Sequence, residues 1–210
     1  MTRDHRTETT VAGLLFITAT AATMASQMIL EPMIAGPDLT SDVMQQRDLF
    51  TLGVVLEVTN ALASAGIAIA LYPILWRCAH GMAVAYVSIR GIEATVGVVA
   101  AVGLLLLLSP VGAQLAMALH DWAFVLVLTV FSVSTLVLYP TLYRFRLVPP
   151  WLSLWGLLGG LMLLASSLLI LFARVEIGSG IDTVLSLPIW INEMALALWL
   201  IFRGVDTSQF

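Results

Sequence analysis

An all-α polytopic bundle of six transmembrane helices is the fold that the sequence predicts, on three observations. Of 210 residues, 60% are apolar and 10% charged, and the mean hydropathy is +1.01. A water-soluble domain carries about a quarter charged residues, so this chain lacks the polar surface to enclose a soluble core. The apolar residues also gather into runs of the length that crosses roughly 30 Å of hydrocarbon, about 20 helical residues. Proline and polar residues separate those runs. Soluble enzymes, nucleic-acid-binding proteins and disordered chains are excluded at this level.

Each span is bounded by its own punctuation. The first is Val11–Leu30, between Thr9-Thr10 and Glu31-Pro32. The second is Leu49–Trp76, with a start as early as Asp42, and the third is Met82–Leu108, closed by Ser109-Pro110. The fourth is Val111–Tyr139, ended by Pro140, and the fifth is Trp151–Phe172, opened by Pro149-Pro150. The sixth is Val184–Phe202. Proline marks such ends because it lacks an N–H and clashes with the preceding turn. The first run extends to Met28-Ile29-Leu30, longer than the 7–15 apolar residues of a cleavable leader, so an uncleaved helix is favoured over a signal peptide. One domain is expected over residues 11–204, with tails at 1–10 and 205–210. The longest loop, Glu31–Asp48, is acidic.

Charge sets the orientation. Lysine is absent, and all nine basic residues are Arg. Arg3, Arg6, Arg77, Arg144, Arg146 and Arg203 fall on one side, Arg47 and Arg174 on the other. The positive-inside bias places both termini in the cytoplasm. Trp76, Trp151, Trp155 and Trp199 then fall near the inner interface and Trp122 and Trp190 near the outer, as an aromatic belt requires. The lone cysteine, Cys78, rules out an internal disulfide, and beside Arg77 it matches only a weak palmitoylation pattern.

Ionisable residues within spans are costly, and each is a candidate functional group. They are Glu57, Arg90, Glu93, His120, Asp121 and Glu193, with Asn60 and Asn192 beside two of them. Gly53, Glu57, Asn60 and Ser64 share one face of the second span, and Tyr86, Arg90, Glu93 and Gly97 one face of the third. Stripes this polar must face the bundle interior or a water-filled cavity. At 1.5 Å per residue, Arg90 lies roughly 12 Å and Glu193 roughly 13 Å from the cytoplasmic boundary. A direct or single-water Arg90–Glu193 ion pair is therefore expected, with Glu93 as the competing partner. His120, Asp121 and Glu57 are expected at similar depth near the outer side.

The bland readings stand beside these. Arg90 with a carboxylate is more often a structural pair than a binding group. Glu57, His120 and Asp121 have the chemistry of metal ligands, but no HxxE or HExxH motif is present, so neither metal nor cofactor is expected. Ser132, Ser134, Ser166 and Ser167 read as packing hydroxyls, and Gly156-x-x-x-Gly160 as a contact face within the bundle. No Gly-rich phosphate loop and no GxSxG nucleophile context occur.

Three segments carry a resemblance. Ala70-Leu71-Tyr72-Pro73-Ile74-Leu75, Arg90-Gly91-Ile92-Glu93-Ala94, and Leu187-Pro188-Ile189-Trp190-Ile191-Asn192-Glu193 with Trp199-Leu200-Ile201-Phe202-Arg203-Gly204 are similar to the bacterial "domain of unknown function 4386" membrane proteins. The resemblance covers about Thr10 to Gly204. It implies a six-helix inner-membrane protein and supplies no catalytic residue.

Two functional classes follow. In the first, Glu57, Asn60, Arg90, Glu93 and Glu193 line a binding or transport site for a small polar or anionic solute, with Arg90 as charge anchor. In the second, an intramembrane enzyme acts on a lipid-like substrate, with Glu93 or Glu57 as general base and His120 as acid or ligand. An enzyme is the less favoured of the two, and a structural or accessory role stands behind both. The lipid bilayer is the expected partner, and nucleic acid is not.

Overall fold

The computed structural model describes residues 5–36, 39–109 and 112–206. Arg3, Asp38, Pro110 and Val111, used in the sequence reading, lie outside the described residues. Seven α-helices are present among those described: α1 (Arg6–Ile34), α2 (Leu39–Gln45), α3 (Arg47–Cys78), α4 (His80–Leu105), α5 (Ala113–Arg144), α6 (Pro150–Leu171) and α7 (Gly180–Phe202). All but α2 are long and apolar enough to cross a membrane. The chain is a multi-pass membrane protein.

The helices run past several expected ends. α5 continues through Pro140 to Arg144. The ring removes a backbone donor, and the Thr141 hydroxyl donates to the nearby Val137 carbonyl at 2.8 Å, one way a membrane helix tolerates an internal proline. α1 likewise continues past Pro32, and α7 begins at Gly180, four residues before Val184. The acidic segment expected as a loop is largely the end of α1 and the separate helix α2, so the second span starts at Arg47 and not near Asp42. α4 ends in a 3-10 turn over Leu106–Leu108.

The six spans form a closed ring in the order α1, α3, α4, α5, α6, α7, with α7 packed back on α1. Small residues set the close approaches. A Cβ on Gly13 of α1 would stand 2.6 Å from Ile201 Cγ1 and 2.7 Å from the Ala197 carbonyl of α7. On α6, a Cβ on Gly156 or Gly160 would overlap Tyr139 or Thr135 of α5. The GxxxG face is thus spent inside the bundle, as expected. Arg6 Nη2 donates to the Phe202 carbonyl at 3.2 Å, so α1 begins and α7 ends at the same end of the ring. Leucine, valine and isoleucine face outward, as at Leu62, Ile69 and Val184, the arrangement that hydrocarbon solvent favours.

Two apolar cores divide the bundle along its axis. The core at the terminus-bearing end draws on all six spans, among them Phe16, Leu75, Tyr86, Tyr139, Leu152 and Leu196. The core at the far end, with Leu30, Phe50, Val54, Leu104 and Ala116, contains no residue of α6 or α7 among those described. A cavity lies between α7 and the wall formed by α1, α3, α4 and α5.

Candidate functional site

The polar stripe of α4 turns inward because α4 is held between α3 and α5. Arg90 is 3% and Glu93 5% exposed. Arg90 Nη1 donates to Glu93 Oε1 at 2.9 Å and to Oε2 at 3.0 Å, which an i,i+3 spacing on one helix allows. The Ser64 hydroxyl of α3 donates to Glu93 Oε1 from the other side. The guanidinium carbon lies 5.1 Å from the Phe131 ring centroid and 5.9 Å from that of Tyr86, within cation–π range. Arg90 Nε is buried without a hydrogen-bond partner among the described residues.

The expected direct Arg90–Glu193 pair is not formed; the ion pair that Arg90 makes is with Glu93. Equal depth brings the two residues level, but α4 and α7 stand three places apart around the ring. Glu193 lines the same cavity as Arg90 and Glu93 and lies within electrostatic reach of both. Tyr86 and Tyr139, each 1% exposed, complete this buried cluster. Tyr139 escaped the sequence reading, where it served only as a span end. Its signal was available, since Phe124, Leu128, Phe131, Thr135 and Tyr139 recur at helical spacing along one face of α5.

The cavity holds about 100 Å³. Arg90, Glu93, Asn60, Ser64 and Glu193 supply its polar wall, and Phe16, Phe124, Phe131 and Trp190 its aromatic one. A second chamber of about 40 Å³ shares Thr23, Asn60, Ser64 and Glu93 with it and extends to Glu57. Trp190, counted in the sequence as part of the outer belt, lies ten residues into α7, roughly 15 Å from its start. It lines the cleft at mid-depth.

At the far end, Glu57 accepts a long contact of 3.5 Å from the Ser26 hydroxyl and interacts electrostatically with His120. His120 Nδ1 lies 3.1 Å from the Ala100 carbonyl. A carbonyl only accepts, so Nδ1 carries a proton and donates this bond. Glu57 and His120 thus lie within electrostatic reach of each other. Asp121 is not with them, because the next helix position lies roughly 100° round the axis. It is exposed on the outer surface of α5, beside Gln114 and Trp122. Among the described residues, no three His, Cys, Asp or Glu side chains group to hold a metal ion.

Asn192 is also separate from the cleft. It is fully buried, and its Nδ2 donates to the Leu152 carbonyl of α6 at 3.0 Å while Oδ1 has no partner among the described residues. It ties α7 to α6, and Glu193 turns the other way.

The family model described as "Domain of unknown function (DUF4386)" matches residues 11–204. No curated protein and no solved structure matches the chain.

Proposed function

The chain belongs to the DUF4386 family, and from that premise we propose that it is a bacterial inner-membrane protein, with both termini cytoplasmic, whose interior cleft binds a small polar solute. One observation carries the reading. Side chains from α3, α4 and α7 that are expensive to hold in a membrane converge on one cavity of about 100 Å³. A single water needs roughly 10–15 Å³ on this kind of measure, so the space suits several waters or one small solute. The shared wall at Asn60, Ser64 and Glu93 extends the polar surface towards Glu57 and gives the solute a path along the axis. The orientation rests on the distribution of Arg. Arg6, Arg77, Arg144, Arg146 and Arg203 gather at the terminus-bearing end, and Arg47 and Arg174 at the other.

Water access to the cleft is the direct test. In a Cys78→Ser background, Asn60→Cys should react with a charged, membrane-impermeant thiol reagent, whereas Leu62→Cys, on the lipid face, should not. An unreactive Asn60→Cys would remove the reading. Binding itself is read as thermal stabilisation by a solute panel, about 2.7 kcal/mol at a concentration 100 times Kd.

A further inference from the structure

We infer that the ligand of this cleft is a small organic cation, a protonated amine or quaternary ammonium, with Glu193 as its counter-charge. The inference rests on the cleft being a solute site and adds the chemical class. The lining side chains include one cation, Arg90, and two carboxylates, Glu93 and Glu193. Arg90 is already met by Glu93 through both contacts of Nη1, so the pair cancels. Glu193 is left with no ion-pair or hydrogen-bond partner among the described residues, and the formal sum of the three is one negative charge. An anionic solute would face both carboxylates, which reverses the anchoring role expected of Arg90.

The walls match the charge. Trp190 is one turn before Glu193 on α7, and Phe124 and Phe16 line the same space from α5 and α1. Aromatic faces attract cations, Trp most strongly, and cages of such rings with a carboxylate recognise ammonium groups. Phe131 already serves Arg90 in this way, Phe16 is packed in the core and Phe124 stacks on His120, so Trp190 is the principal ring left for a ligand. A cation held at the Glu193 carboxylate is within one helical turn of Trp190, the strongest cation–π donor lining the cavity.

The test is isothermal titration of the purified full-length protein in an uncharged detergent at fixed sodium chloride. The probes are tetramethylammonium and ethylammonium chloride, with sodium acetate and glycerol as comparators. The expected result is saturable binding of the two cations only. Glu193→Gln should weaken it at least tenfold, Glu193→Asp should retain it, and Trp190→Leu should weaken tetramethylammonium more than ethylammonium. Trp190→Leu leaves every charge in place and keeps the test decisive if Glu193→Gln fails to fold. Cation binding that survives both Glu193→Gln and Trp190→Leu overturns the inference. Binding of acetate or glycerol without the cations overturns it too, and leaves the solute-site reading intact. No binding of any probe by the folded wild type removes both.

Discussion

Arg90 meets Glu93, one turn along its own helix, with both carboxylate oxygens 2.9–3.0 Å from the same guanidinium nitrogen. Glu193, at matching depth across the ring, is left for the cleft. The pairing makes Glu93 the carboxylate on which stability depends. Removing one partner of a buried pair costs about 3–5 kcal/mol, because the other charge is stranded. Glu93→Gln should therefore destabilise far more than Glu193→Gln. The double variant Arg90→Met with Glu93→Gln should lose less than the sum of its singles. Thermal unfolding in detergent reads all four proteins, and strictly additive losses would refute the coupling.

The crossing of α6 and α7 turns on Gly159. A Cβ there would stand 2.8 Å from the Ile189 nitrogen and 2.9 Å from its Cα, and backbone cannot swing aside as a side chain can. Gly159→Ala should cost about 1–3 kcal/mol by overpacking. Gly91 on α4 has nothing within 4 Å of its Cβ position, so Gly91→Ala should be neutral or slightly stabilising. Equal melting temperatures for the two variants would contradict this account of the interface.

Two helices end on left-handed residues other than glycine. At the end of α6, Ala173 has φ +53°, with Arg174 N–H donating to the Leu169 carbonyl and Ala173 N–H to that of Ile170. At the end of α5, Arg146 has φ +49°, with the same pair of bonds from Leu147 to Leu142 and from Arg146 to Tyr143. This is the Schellman geometry, in which glycine avoids the Cβ penalty. Ala173→Gly and Arg146→Gly should each raise stability by up to about 1 kcal/mol. Melting temperatures below wild type for both would show that the penalty is absent.

The orientation is tested by fusions. Alkaline phosphatase attached after Arg203 should be inactive, since the enzyme folds only in the periplasm, and the same enzyme inserted after Arg174 should be active. The reverse pattern would invert the topology.

What the sequence determined is what depends on local physics and on the solvent. Hydrocarbon demands about 20 apolar helical residues per crossing, so the six spans are legible from composition alone, as is the inward direction of the Glu57 and Arg90 stripes. Helix limits were read less well, because proline was taken as a terminator and α5 passes through Pro140. The tertiary structure decided the lateral relationships. Depth along the axis follows from residue counting, but the distance across the ring follows from which helices are neighbours and how closely Gly13, Gly156 and Gly159 let them approach. For that reason equal depth did not make Arg90 and Glu193 a direct ion pair. For the same reason His120 and Asp121, adjacent in sequence, separate into the interior and the surface, and Trp190 stands in the cleft instead of the outer belt. Tyr139, inconspicuous in sequence, becomes part of the buried cluster only once Gly156 leaves room for its ring.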